Sequence, residues 1–200
     1  MAVPRKPSPD RLIKAAMALA AERRWRDISL AEIADGAGVN LAQLHAVFSS
    51  KGAILRAFSD KIDATVLDGT DDDAREEPVN DRLLDVLVRR LEALQDYKRA
   101  IGSILRDTMT DPAAALCGGP GLLRSMAWSL EAAGVRSSGI AGKIRTKGLA
   151  AIYISTLYVW LRDDSDDLGP TLAHLDRALR RAERLAMTIG LAGRVDPVTD

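Results

Sequence analysis

The stretch that decides the fold is Ile28-Ser29-Leu30-Ala31-Glu32-Ile33-Ala34-Asp35-Gly36-Ala37-Gly38-Val39-Asn40-Leu41-Ala42-Gln43-Leu44-His45-Ala46-Val47-Phe48-Ser49-Ser50-Lys51. Ser29-Leu30-Ala31-Glu32 fits a capping box, in which a Ser and a Glu three residues on satisfy each other's free backbone N–H groups. A short helix starts there and must stop near Gly36 or Gly38. Asn40 can cap a second helix, Leu41 to about Phe48, and Ser50 a third that begins at Lys51 and continues past Ile62. Two short helices around a tight turn need a residue that tolerates positive φ and apolar residues that lock the crossing angle. Gly38 sits at the turn, Ile33, Ala34, Val39, Leu44 and Phe48 supply the lock, and Ala34 and Ala37 are small enough for close approach. The pattern predicts a helix-turn-helix.

The second helix of such a unit presents its leading residues to the DNA major groove. Here those are Asn40, Leu41, Ala42, Gln43 and His45. Gln43 suits a bidentate contact to adenine, and Leu41 or Ala42 a thymine methyl. Ser29, His45 and Lys51 are the candidates for phosphate, Ser29 and Lys51 because each lies at a helix N-terminus.

Outward from this stretch, Asp10 reads as the N-cap of a helix to about Arg24, with Leu12, Ile13, Ala16, Leu19 and Ala20 at helical spacing. Before it, Pro4, Arg5, Lys6, Pro7 and Pro9 form a basic arm. Asp68 to Asp81 carries seven acidic residues and one basic one, and marks a hinge. Beyond it, Leu83, Leu84, Leu87, Val88, Leu91 and Leu94 outline an amphipathic helix. Further helices fit Tyr97–Met109, Gly121–Ala133, Gly139–Asp163 and Leu168–Gly190, with turns expected at Asp111-Pro112, Gly118-Gly119-Pro120-Gly121, 134–139 and Gly169-Pro170. The expected architecture is all-α, about nine helices, with a headpiece at 1–67 and a helical effector-binding and dimerisation domain at 82–200.

Composition agrees. Ala (31) and Leu (26) dominate the 200 residues while aromatics are 4%, which favours helix over strand. Lys+Arg and Asp+Glu are 28 each, so a uniformly basic nucleic-acid coat is excluded. That neutrality is a sum of unlike parts: residues 1–67 are net +3, 68–81 net −6, and 82–200 net +3. Cys117 is the single cysteine, the leading residues lack an apolar signal core, and the apolar run Leu149–Leu161 is too short to span a bilayer. The expectation is a soluble, cytoplasmic protein.

Leu30-x-x-Ile33-Ala34-x-x-Ala37-Gly38-Val39 followed by Leu44-His45-x-x-Phe48-x-Ser50-Lys51 resembles the TetR family of bacterial one-component regulators. The resemblance covers about a quarter of the chain. It implies a dimer, a DNA-binding headpiece, and a C-terminal helical domain with a small-molecule pocket. By position it implies DNA contacts at Ser29, Asn40, Ala42, Gln43, His45 and Lys51. Two positions depart from the family pattern: His45 stands where Tyr is usual, and Ala42 where a polar residue or glycine is common. Between Gly38 and Ser50 there is no Lys or Arg, so attraction to phosphate depends on Arg5, Lys6, Arg11, Lys51 and Arg56, and affinity should depend steeply on salt.

The back half carries a second resemblance. Asp81-Arg82-Leu83-Leu84-Asp85-Val86-Leu87, Tyr158 to Ser165 and Thr171 to Arg181 are similar to the ubiquinone-biosynthesis accessory family, which binds lipids on a TetR-like fold. It implies an isoprenoid- or quinone-binding accessory protein as the alternative function. Arg177, Arg180, Arg181 and Arg184 face away from Leu172, Leu175, Leu179 and Ala186, as on membrane-surface helices.

Other features read as structure. His45 and His174 are too far apart for a metal pair, and no cofactor is implied. Asp163, Asp164, Asp166 and Asp167 lack the Glu that ends a calcium loop, and suit capping of the helix near Leu168 instead. The Gly118–Gly121 segment has neither the preceding strand nor the Lys-Ser/Thr of a phosphate loop, and reads as a turn. No nucleophile–base or paired-carboxylate constellation stands out, so an enzyme is not expected. Leu105, Met109, Met126, Trp128, Tyr153 and Leu157 are core at helical spacing. On the resemblance they become the candidate pocket for an apolar small-molecule effector, a lipid among them. Ile144, Leu149, Ile152, Leu157 and Trp160, then Leu175, Leu179, Ala182 and Ile189, put apolar residues on more than one face of the last two helices. One face needs a partner, and a homodimer would supply the symmetry that a palindromic operator in double-stranded DNA requires.

Overall fold

The structure is a computed structural model and describes residues 7–69, 76–110 and 112–188. The basic arm at 1–6, the heart of the acidic hinge at 70–75 and the chain beyond 188 lie outside the described residues. All regular elements described are helical, in the order α1 (Pro9–Glu22), a 3-10 turn (Trp25–Asp27), α2 (Leu30–Gly36), α3 (Leu41–His45), α4 (Lys51–Asp68), α5 (Val79–Leu94), α6 (Lys98–Thr110), α7 (Pro112–Ala132), α8 (Gly139–Trp160) and α9 (Gly169–Thr188).

The chain divides into two compact units, Met1–Ile62 with Leu94–Gly121, and Asp63–Ala93 with Leu122–Asp200. In the first, the apolar stripe of α1 (Leu12, Ile13, Ala16, Met17 and Ala20) is buried, together with Ile33, Ala34, Leu44, Phe48, Ile54 and Phe58. α6, which lies outside the 1–67 span read from the sequence, packs against α1 in this unit. Phe58 meets Tyr97 edge to face at 4.9 Å. In the second, Leu87, Leu91, Met126, Leu130, Tyr153, Leu157, Trp160, Leu175 and Leu179 form the core, with α8 packed along α9.

At the centre of the second unit lies a polar knot. The Asp63 carboxylate, from the end of α4, pairs with Arg90 of α5 and accepts a 2.7 Å hydrogen bond from Ser125 of α7. The Arg90 guanidinium lies 5.5 Å from the ring of Tyr153 on α8. Asp63 and Arg90 are each less than a tenth exposed. Two charges buried this deeply persist only because each neutralises the other.

Three expectations are corrected. Asp10 is not the N-cap of α1: Ser8 holds that position, Pro9 is the first helical residue, and Asp10 instead binds Lys61 at 2.8 Å. Proline at the first turn loses nothing, because that N–H has no partner in any helix. The Gly118–Gly121 segment is not a turn; α7 runs through it with Pro120 inside the helix. α3 stops at His45 rather than near Phe48, and Phe48 is buried in the following turn.

Candidate nucleic-acid interface

The local geometry of residues 28–51 follows from where each backbone donor and acceptor finds its partner. Ser29 caps α2 reciprocally: the Glu32 N–H donates to Ser29 Oγ at 3.2 Å, and the Ser29 N–H donates to Glu32 Oε2 at 2.8 Å. Arg23 holds the other carboxylate oxygen of Glu32 at 2.5 Å. The backbone and hydroxyl donors of Ser29, together with Arg23, hold the Glu32 carboxyl at about 2, below its ordinary 4.5. α2 ends in a Schellman motif: the Val39 N–H donates to the Ala34 carbonyl and the Gly38 N–H to the Asp35 carbonyl. Gly38 has φ +62°, and a Cβ there would lie 2.7 Å from Arg11 Nη2. Only glycine takes this conformation and this approach without strain.

α3 is capped in the same reciprocal way. The Gln43 N–H donates to Asn40 Oδ1 at 2.8 Å, and the Asn40 N–H donates to Gln43 Oε1 at 2.9 Å. Leu44 is fully buried, and with Ile33, Ala34, Ala37 and Phe48 it fixes α3 against α2. Val39 is half-buried at the rim of that lock. What remains on the outside is Leu41, 51% exposed, with Asn40, Ala42 and His45 exposed and Gln43 partly so. A leucine half in water at the head of a helix contributes little to its own core.

Of the residues expected at DNA, Asn40, Leu41, Ala42, Gln43 and His45 thus lie together along α3, and Ser29 caps α2. Lys51 is placed otherwise. Its ammonium donates to the carbonyls of Trp25 at 2.5 Å and Ile28 at 2.6 Å, with Arg26 at 3.4 Å, and sits 4.6 Å above the Trp25 ring. Burial lowers its pKa, against the pull of Asp107, Asp27 and Glu32. The opposite side of this segment is held by residues that sequence reasoning missed. Ser103 Oγ accepts from the Trp25 N–H at 3.0 Å and donates to the Arg23 carbonyl at 2.8 Å. Asp107 Oδ2 accepts from the Arg26 N–H at 2.8 Å. Ser103 and Asp107 are one helical turn apart on α6, but they stand about eighty residues from their partners, so nothing local announces them.

The candidate effector residues fall in both units. Leu105 belongs to the first unit, and Met126, Trp128, Tyr153 and Leu157 to the second. Met126, Tyr153 and Leu157 are buried in the core, whereas Trp128 is 51% exposed. The side chain of Met109 lies outside the described residues. Two open grooves mark the second unit, and neither is lined by these residues. One, of about 470 Å³, runs along Tyr158, Val159, Arg162 and Pro170. The other, of about 710 Å³, lies between α8 and α9, with Ile152, Ala178, Ala182 and Leu185 below and Arg177, Arg181 and Arg184 around it. Ser155 and His174 touch within it at 3.1 Å. Among the described residues no helix is long and apolar enough to cross a membrane, and no group of His, Cys, Asp and Glu is placed to hold a metal.

Comparison with known proteins agrees with this layout. Residues 12–58 match the family model for bacterial regulatory proteins of the tetR family, and residues 131–186 match that of COQ9. The fold is that of solved TetR transcriptional regulators. That of Nitrosomonas europaea is 22% identical with a TM-score of 0.69, over 88% of this chain and 98% of its own. A regulator of Rhodococcus sp. RHA1 is 22% identical, TM-score 0.63, over 86% and 93%. A third, from Streptomyces coelicolor, is 17% identical, TM-score 0.58, over 93% and 86%. No curated protein matches the chain.

Proposed function

We propose that this chain, with its tetR-type N-terminal domain and TetR-regulator fold, is a homodimeric transcriptional repressor that binds a palindromic operator through α3 and releases it on binding an apolar small molecule. The observation that carries the reading is α3 itself. Its inner face is locked by Leu44, its start is capped by Asn40 and Gln43, and Leu41, Ala42 and His45 are left facing out. A helix of five residues fixed this firmly, with an apolar residue exposed at its head, suits insertion in a major groove. Ser29 and His45 take the adjoining phosphates, and Lys51 supports the platform from behind.

Dimerisation falls to α8 and α9. Ile140 and Ile144 of α8 are 82% and 47% exposed, and a Cβ at Gly148 would meet nothing within 4 Å, so a second copy can pack closely along this face. Release follows if the effector binds the geometry that does not fit the operator better than the one that does. Titration of labelled upstream DNA at several salt concentrations tests the reading. Sequence-specific binding at low salt, lost in Gln43→Ala/His45→Ala, is expected; its absence refutes the regulator.

A second reading is favoured by the match of residues 131–186 to COQ9 and by the arginine-rimmed apolar groove on α9. On it the second unit binds an isoprenoid or quinone-like lipid, and α9, with Leu185 and Met187 exposed, touches a membrane surface. Native mass spectrometry for copurified lipid and flotation with anionic liposomes separate the two: DNA binding without lipid favours the first, lipid without DNA binding the second.

A further inference from the structure

On α9 a cationic stripe and an apolar stripe run side by side. Arg177, Arg181 and Arg184 stand at positions i, i+4 and i+7, and each is followed directly by a member of an apolar series, Ala178, Ala182 and Leu185. Residues so spaced share one face of a helix, so the stripes are parallel over about 12 Å. With Ile152 of α8, both stripes line the open groove of about 710 Å³ between α8 and α9. Four arginines and a histidine line that groove, and no carboxylate does. Arg180 is engaged by Asp176 at 2.9 Å, and Glu183 accepts from Asn80. Among the described residues no ion pair holds Arg177 or Arg181. His174 and Ser155 meet each other at 3.1 Å, and Ser155 donates to the Ile152 carbonyl, which ties both to the wall.

We infer that this groove is the binding site of a single-chain amphiphile with an anionic head, a long-chain carboxylate. Its chain lies on Ile152, Ala178, Ala182 and Leu185, and its head is held by Arg177 and Arg181. Leu185 is 60% exposed, and covering it with the floor beside it removes apolar surface from water. Arginine offers a planar fork of donors that matches a carboxylate. Charge decides among the occupants. An uncharged isoprenoid or quinone would cover the floor and leave two guanidinium groups unanswered. A second copy packed by two-fold symmetry would offer the same patch, whose exposed charges are these arginines with Lys143 and Lys147 of α8, so like would meet like. A bilayer presents a flat surface, whereas Ile152, Ala178 and Ala182 are half-buried in a groove that a single chain can enter. The volume is that of a small-ligand site. The inference rests on the lipid-binding reading above, which it narrows to an anion, and is independent of whether α3 binds DNA.

Isothermal titration of the delipidated full chain with dodecanoate, kept below the concentration at which it forms micelles, tests this. Dodecanol serves as the uncharged chain and acetate as the head alone. Saturable binding of dodecanoate is expected, about tenfold tighter than that of either. Arg177→Gln with Arg181→Gln should weaken dodecanoate about tenfold and leave dodecanol unchanged, a difference that a general loss of structure would not produce. Ala178→Phe fills the floor and should weaken both. If a variant does not fold, the wild-type comparison of dodecanoate with dodecanol decides. Equal affinity for the two overturns the anion and leaves a lipid site standing. Dodecanoate binding that survives both variants lies elsewhere and overturns the site. Binding of neither overturns the inference, and the lipid reading falls with it only if no lipid copurifies. Flotation with phosphatidylglycerol vesicles without binding of dodecanoate makes the face a membrane surface, and a dimer that Ala178→Phe dissociates, again without dodecanoate bound, makes a second copy the occupant; each overturns the inference.

Discussion

Lys51 illustrates how a residue's position in a motif and its work in the fold can differ. At the head of α4 it is well placed for phosphate, yet its ammonium closes the carbonyls of Trp25, Arg26 and Ile28 over the Trp25 ring. With Ser103 and Asp107 on the other side, the 23–28 segment has its backbone groups met by three side chains. Lys51→Met should keep the apolar stem on Trp25 and leave part-buried carbonyls unpaired, destabilising the first unit by about 1–3 kcal/mol. Thermal or urea unfolding measures that loss. The salt dependence of DNA binding distinguishes the two roles: a phosphate contact removed would lower the slope of log affinity against log salt by about one, and an interior clamp removed leaves it unchanged. The unchanged slope is expected.

At the scale of the element, α7 is the helix that its own sequence argues against. Gly118, Gly119 and Pro120 are poor helix formers, and composition there reads as a turn. The helix nevertheless continues without a break through all three of them, over 21 residues. A Cβ at Gly119 would meet nothing within 4 Å, so Gly119→Ala should stabilise the protein by about 0.5–1 kcal/mol by restricting the unfolded chain; a lower midpoint in urea would contradict this. The start of α9 was readable, because acidic residues before an amphipathic run signal a helix N-terminus. Asp163 carries that role: Oδ1 accepts from the N–H and Oγ of Ser165, and Oδ2 from the N–H and Oγ1 of Thr171. These donors hold its pKa at about 2, below the ordinary 3.8. A depressed carboxylate stabilises the fold above its unfolded pKa and loses that contribution as pH falls toward the folded value. The gap in thermal midpoint between wild type and Asp163→Asn should therefore be full above pH about 4 and close toward pH about 2.

For the molecule as a whole, the helix-turn-helix was legible because all its determinants are local: caps three residues from their partners, a glycine at the turn, apolar residues at helical spacing. The polar knot of the second unit was legible only as an anomaly. Arg90 interrupts the apolar stripe between Leu87 and Leu91, and Asp63 that between Ile62 and Val66, but pairing two charges 27 residues apart requires the fold. Removing one partner should be costly: Arg90→Met leaves the Asp63 carboxylate buried without its counter-charge and should destabilise the second unit by about 3–5 kcal/mol, measured by chemical unfolding. Asp63→Asn with Arg90→Met should recover much of that loss. The absence of Lys and Arg from Gly38 to Ser50 has a consequence for how such a molecule would find its target in a cell. Arginine-rich readers linger on any DNA and scan along it, and a genome then sequesters most copies at chance sites. On the proposed reading, a helix without cations would leave holding on chance sites to the flanking cations alone, so that raising salt would release non-specific DNA without touching the contacts that read the bases.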